Sequence, residues 1–318
     1  MPKLVVAMVL VLCFGANRAD SFATGAARPV YLFTSFRDAD QKYLRFLYSF
    51  DGYHWTNVPG TFLAGDVGTN RLFRDPSIAR GPDGVFHLVW TCGWRGDLGF
   101  GCASSKDLIH WSAEQFVPVM TNEPTTVNVW APEIFYDEGE NDFLIVWAST
   151  IPGRFPNGQE RPDNNHRLYF TTTRDFTNFA PAKLFFDPGF SAIDPFIAKD
   201  GDRYVLIFKD NSRPNLNLRV AFARSPLGPW ENVSAPFTEK FTEGPCALKI
   251  GDDWVIYFDA YRKKIYGAVK TRDFKTFTDV TGEVSFPPGH KHGTAFGVSR
   301  QILDGLLGSA ADRAKANL

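Results

Sequence analysis

Five short stretches carry an acid or a histidine beside a proline or glycine, and together they have the makings of acid–base chemistry. They are Arg74-Asp75-Pro76, Trp130-Ala131-Pro132-Glu133, Ile193-Asp194-Pro195, Glu243-Gly244-Pro245 and His292-Gly293. An Asp before a proline is commonly a turn residue, so each stretch alone says little. Gathered at equivalent points of one ring, three or four acids repel one another, which costs stability unless a reaction or a cation uses them. Cleavage of a glycosidic bond uses such a set. One carboxylate acts as general base on water and another protonates the departing oxygen, with roughly 6.5–9.5 Å between them in inverting enzymes. A third carboxylate nearby raises the pKa of the acid, so that it keeps its proton near neutrality.

Two recurring signatures frame these stretches. The first is a strand rich in aromatic and β-branched residues: Val30–Phe33, Val85–Trp90, Asp142–Trp147, Arg203–Phe208 and Trp254–Phe258. The second closes each unit with a turn and an aromatic: Ser49-Phe50-Asp51 before Trp55, Ser105-Lys106-Asp107 before Trp111, Thr173-Arg174-Asp175 before Phe179, Ser225 before Trp230, and Thr271-Arg272-Asp273 before Phe277. The fourth copy lacks the Asp, whose expected role elsewhere is to cap the turn with its own side chain. Repeats of about 40 to 60 residues, each supplying about four short strands, are the mark of propeller blades. The expected fold is all-β, a five-bladed β-propeller over 28–301. Its ring closes when the segment after His292 joins the blade begun at Val30. The heads of the five short stretches then converge at one end of the central axis. Residues 302–318 form a C-terminal tail, helical from Ile302.

Composition narrows the partners. The 318 residues carry 34 Lys and Arg against 35 Asp and Glu, a net charge of -1, and so present no basic field for nucleic acid. Aromatics make up 15%, which suits strands and stacking on sugars alike. The expected partner is a carbohydrate, with no nucleic acid, no membrane and a monomeric chain. Lys3, the apolar run Leu4–Phe14 and the small residues around Ala23 read as a signal peptide over 1–23, and hence as a secreted protein. Cys92, Cys102 and Cys246 remain after its removal. An odd count is no disulfide framework, although a Cys92–Cys102 bridge across a hairpin is one expectation and three buried thiols are the other.

The ordered set Arg-Asp-Pro at Asp75, Trp-Ala-Pro-Glu at Glu133, Ile-Asp-Pro at Asp194, Glu-Gly-Pro at Glu243 and His-Gly at His292 resembles glycoside hydrolase family 43 over nearly the whole mature chain. The resemblance implies that Asp75 is the general base, Asp194 adjusts the pKa of the acid and orients it, and Glu243 is the general acid. The implied mechanism is inverting, on plant-type glycans containing arabinose or xylose. It implies no required cofactor, with a structural calcium or its water near His292. Glu133 stands where that family commonly carries Asp, as a substrate contact or a brace of the rim. Trp94 and Trp130 are the aromatics placed to stack on a sugar, and Arg74 is placed to hold a hydroxyl or carboxylate. Two other readings are a retaining fructan hydrolase and a non-catalytic carbohydrate-binding propeller. The combination of Asp75, Asp194 and Glu243 argues against the second, because a binder needs no acid and base.

Overall fold

The computed structural model describes residues 29–156, 161 and 163–316; the expected signal peptide lies outside them. The chain forms five antiparallel sheets around one axis. Blade one holds β1 (Val30–Arg37), β2 (Tyr43–Ser49), β3 (Thr56–Asn57) and β4 (Leu63–Ala64). Blade two holds β5 (Arg74–Arg80), β6 (Phe86–Thr91), β7 (Phe100–Ser105) and β8 (Gln115–Val117). Blade three holds β9 (Trp130–Asp137), β10 (Asp142–Ser149), β11 (Arg167–Thr173) and β12 (Lys183–Phe186). Blade four holds β13 (Ala192–Asp200), β14 (Arg203–Asp210) and β15 (Asn217–Ala223). Blade five holds β16 (Glu243–Ile250), β17 (Asp253–Ala260), β18 (Ile265–Thr271) and β19 (Thr278–Asp279). Where a fourth strand of blade four belongs, a single bridge joins Phe222 to Glu231.

The ring closes as the repeat count requires. β20 (His290–Lys291) and β21 (Ala295–Val298) both return to β1, with Val298 opposite Val30 and Ala295 opposite Phe33. First and last segments therefore share one blade, and β1 is paired on both sides. At this seam a Cβ on Gly293 would lie 1.6 Å from the carbonyl oxygen of Thr34, so no other residue fits.

The second strand of each blade is sandwiched by its neighbours, and β10, β14 and β17 are buried almost end to end. That is why these strands read as continuous apolar runs rather than alternating ones. The core is divided between blades. One cluster joins Phe33 to Tyr257 and Val220, another joins Leu32 and Phe46 to Leu88 and Trp90. Helix α1 (Arg300–Ala316) seats Leu303 and Leu306 in the second cluster. The Asp turns behave as their spacing suggests. Asp51 Oδ1 accepts the N–H groups of Tyr53 and His54, and Asp107, Asp175 and Asp273 do the same in their blades.

One expectation is corrected here. Cys92 and Cys102 are both buried free thiols. Val89 pairs with Cys102 and Trp90 with Gly101, which leaves Cys92 three residues further along the ladder. At about 3.3 Å per residue that separation exceeds what a disulfide spans.

Candidate active site

The innermost strands β5, β9, β13 and β16 share one irregularity. Each has an X-Pro step near its start, and X lies in the left-handed region: Asp75 at φ 49°, Ala131 at 46°, Asp194 at 52° and Gly244 at 56°. The ladder slips at the same point in all four strands. For the three non-glycine residues, each preceding proline, this conformation is unfavourable, at roughly 1–3 kcal/mol each. Bulges re-aim side chains, and here they turn Asp75 and Asp194 into the axial cavity, where both are lining residues.

The register also corrects the equivalence expected of the five heads. Arg74, Trp130, Ile193 and Glu243 are the equivalent positions, facing Thr91, Ala148, Lys209 and Asp259 on the adjacent strands. Asp75 and Asp194 lie one residue deeper, level with Ala131 and Gly244. Glu133 lies deeper still. It faces Val146, as Ser77 faces Val89, Phe196 faces Ile207 and Cys246 faces Tyr257.

His292 ties the upper ring together. Its Nδ1 is 2.9 Å from Asp75 Oδ1 and its Nε2 is 3.4 Å from Glu243 Oε1. The first contact is an ion pair whose direction misses hydrogen-bond alignment, so Asp75 Oδ1 has no aligned partner in the protein. Asp194 Oδ2 accepts the N–H of Gly244 at 3.0 Å. Lys209, itself buried, donates to Glu243 Oε2 at 2.8 Å. A Cβ on Gly244 would meet His292 Cδ2 at 2.3 Å, so glycine there lets the imidazole lie against the strand.

These contacts divide the charge. Burial pushes the Asp75 carboxyl up, but His292, Arg74 and Thr91 outweigh it and hold Asp75 below the usual Asp value. Burial likewise opposes the charge on Glu243, yet Lys209 and then His292 hold it well below the ordinary Glu range. Burial raises Asp194, helped by the negative charges of Glu243 and Asp75, and His292 and Lys209 only partly offset it. Burial disfavours the imidazolium of His292, but Asp75 and Glu243 more than compensate and raise its pKa well above the normal His value. The ring thus holds two anions, two cations and a carboxyl inclined to stay neutral, which is how so many buried ionisable groups are tolerated together.

The other expected site residues separate by depth. Glu133 is buried beneath the ring, where Ser77 Oγ donates to its Oε2 at 2.6 Å and burial lifts its pKa to about 8. Arg74 lies over the rings of Phe36 and Trp94 and is paired with Asp38 at 3.0 Å. Trp94 is 45% exposed on its hairpin, its ring perpendicular to that of Trp130. Trp130 donates Nε1–H to the Trp94 carbonyl and stacks on His166. For a calcium ion, Asp194, Glu243 and His292 offer atoms within 4.8 Å of one another. As arranged here both nitrogens of His292 face carboxylates and Lys209 supplies a cation at Glu243, so an ion at this point would have to displace those contacts.

The sequence reading missed Lys209, Thr91 and Asp259. All three end an aromatic strand, in Trp90-Thr91, Phe208-Lys209 and Phe258-Asp259, directly opposite a head. Aligning the strand ends as well as the heads is the signal that finds them.

A five-bladed ring with an acid cluster at the axis defines a β-propeller with a carboxylate-lined axial site. The family model described as "Probable glycosyl hydrolase domain", related to glycosyl hydrolase family 43, matches residues 28–304, and the chain belongs to that family. An alpha-L-arabinofuranosidase of Bifidobacterium longum subsp. longum is 25% identical over 169 residues, which are 46% of this chain and 16% of that protein. The chain thus spans a small part of that relative's length. Among solved structures, the alpha-L-arabinofuranosidase from Lactobacillus brevis aligns with a TM-score of 0.53 at 16% identity, over 66% of this chain and 72% of its own. The exo-beta-1,3-galactanase 1,3Gal43A from Clostridium thermocellum gives a TM-score of 0.57 at 14% identity, over 80% and 59%. Likenesses at these identities show the common fold.

Proposed function

We propose that this glycoside hydrolase is secreted and cleaves arabinose- or xylose-containing plant-type glycans with inversion, Asp75 serving as general base and Glu243 as general acid. The observation that carries this reading is the pair of carboxylates on opposite nitrogens of His292, 2.9 and 3.4 Å away. An imidazole between them supports the wider of the two spacings used by glycosidases, which leaves room for a water on the face opposite the leaving group. The lowered pKa of Asp75 keeps it ionised across neutral pH, so that it is free to accept a proton from water. Burial raises the pKa of Asp194, while Lys209 and then His292 hold that of Glu243 down. On this reading Glu243 takes up a proton, from a neighbouring group or from solvent, as the glycosidic oxygen enters and the Lys209 contact loosens.

The raised pKa of Asp194 favours a second reading, in which Asp194 is itself the donor and Glu243 its charge partner. Leaving-group chemistry separates the two. A dinitrophenyl glycoside needs no proton on departure, so the variant of the true acid regains a rate near that of the unaltered enzyme on it, while the other variant stays slow. On our reading Glu243→Gln regains the rate and Asp194→Asn does not. Product stereochemistry followed by NMR tests the base: retention of configuration removes Asp75 from that role.

A further inference from the structure

Blade one carries a cavity of about 270 Å³ apart from the axial acid cluster, at the end where β1 finishes. That end is the one on which the axial acids lie. Phe36 places its ring 6.1 Å from that of His292 and faces Lys291 in the ladder, and the next residue, Arg37, faces His290 and lines the cavity. Arg45 of β2, Asn57 of β3 and His290 of β20 complete the polar wall, and among the described residues no carboxylate lines it.

The two guanidinium groups are satisfied differently. Arg45 pairs with Asp40 at 2.5 Å. Arg37 has only a neutral side-chain partner among the described residues, His290, with Nη2 3.1 Å from Nε2. Asp38, the next residue, is taken by Arg74 at 3.0 Å and Lys291 at 3.5 Å. The same Nε2 of His290 is also 2.7 Å from Asn57 Oδ1. A ring nitrogen bears either a proton or a lone pair. With a proton it donates to Asn57 and confronts the N–H of Arg37; with a lone pair it accepts from Arg37 and confronts the Asn57 oxygen. Burial, then the charges of Arg37 and Arg45, pull the His290 pKa down to about 4 and keep the ring neutral. The Nε–H groups of Arg37 and Arg45 are in addition buried without a partner. The cavity thus keeps a positive charge that the protein itself does not pair.

We propose that this cavity is an oxyanion site, filled by a carboxylate or sulfate group. An oxyanion that accepts from Arg37 leaves His290 Nε2 to serve Asn57 alone, so one ligand group pairs the charge and ends the competition at the imidazole. The planar guanidinium suits that ligand, because its parallel N–H groups match two oxygens of a carboxylate or of a sulfate. The volume stands at the lower edge of the range that ligand pockets span, which fits a small charged group with part of the ring that bears it. Placement on the face where the axial acids lie favours an acidic saccharide as the source, while a free inorganic anion offers the same chemistry. The site adds acidic glycans to the proposed substrates, and its binding does not depend on which axial acid donates the proton.

Isothermal titration calorimetry of the full chain tests this with methyl glucuronoside, sodium sulfate and, as the neutral control, methyl glucoside. Arg37→Gln removes the charge, and Arg37→Lys keeps it but loses the fork, so the test survives a folding failure of either variant. Methyl glucuronoside is expected to bind the unaltered chain and to bind Arg37→Gln about tenfold or more weakly, with Arg37→Lys between the two. The response to methyl glucoside should be the same in all three. Displacement of sulfate by the glucuronoside supports the saccharide source. Sulfate binding without glucuronoside binding overturns that source and leaves a site for free ions. Glucuronoside affinity that ignores both substitutions, or no binding of either anion, overturns the site while leaving the catalytic assignment intact.

Discussion

Two rings of side chains cross the axis two residues apart, and they treat a carboxylate in opposite ways. The upper ring holds Asp75, Asp194, Glu243 and His292, charged and mutually paired. The lower one holds Thr294, Ser77, Glu133, Phe196 and Cys246, joined by neutral hydrogen bonds such as Thr294 Oγ1 to Ser77 Oγ at 3.2 Å and Ser77 to Glu133. Glu133 and Glu243 belong to the same kind of strand, the first buried and the second 22% exposed at its side chain. One is an anion because Lys209 and His292 face it, whereas the other has only a hydroxyl and a peptide N–H and keeps its proton up to about pH 8. Position along the strand selects the partners, and the partners select the protonation state.

The sharpest way to break this comparison is to neutralise both glutamates separately. Glu243→Gln is expected to lower kcat on 4-nitrophenyl glycosides by about a thousandfold, within the usual reach of general acid catalysis, while Glu133→Gln stays within a few-fold of the unaltered enzyme. Equal losses in the two variants would sink the distinction between the rings. Next in size is Gly244→Ala, whose methyl group would drive the His292 imidazole away from the strand. We expect a loss of about a hundredfold in kcat and about 1–3 kcal/mol of stability, from strain at positive φ and the displaced ring. Normal turnover in that variant would mean that His292 need not sit between the two carboxylates.

Lys209→Met probes how the upper ring sets its charge. Without the ammonium the Glu243 carboxyl rises and retains its proton to higher pH, so the alkaline limb of kcat/KM should move upward, with about a tenfold loss of rate at neutral pH. A limb that does not move assigns it to another group. The last effect is on folding rather than turnover. Glu133 has a raised pKa in the folded protein, from 4.5 to about 8, so its contribution is full below 4.5 and is lost as pH rises through 8. Urea unfolding of Glu133→Gln should fall less between pH 5 and pH 8 than that of the unaltered protein, by on the order of 2–4 kcal/mol. Parallel pH profiles would show that Glu133 is ionised in the folded state.

Much of this was legible from sequence because a propeller repeats its physics. Each blade has to bury a flat strand on two sides and turn back through a tight corner, and those demands write the aromatic strand five times and the Asp-capped turn four times. The acids at Asp75, Asp194 and Glu243 stood out as interruptions of an otherwise apolar pattern. Glu133 appeared equivalent to them because it too adjoins an X-Pro step, and only the register reveals that it lies two positions lower. Lys209 was hidden for the opposite reason. A lysine at a strand end is ordinarily a solvated side chain, and nothing local announces that the next blade brings Glu243 to within 2.8 Å of it.

The sequence by itself determined the number of blades, the closure of the last segment onto the first and the acids available at the axis, since each follows from periodicity and residue type along one strand. Only the tertiary structure decided which partners face each acid and in which direction its pKa moves. Those properties depend on distances between different blades. A pKa responds to partners a few ångströms away in space, however many residues separate them in the chain.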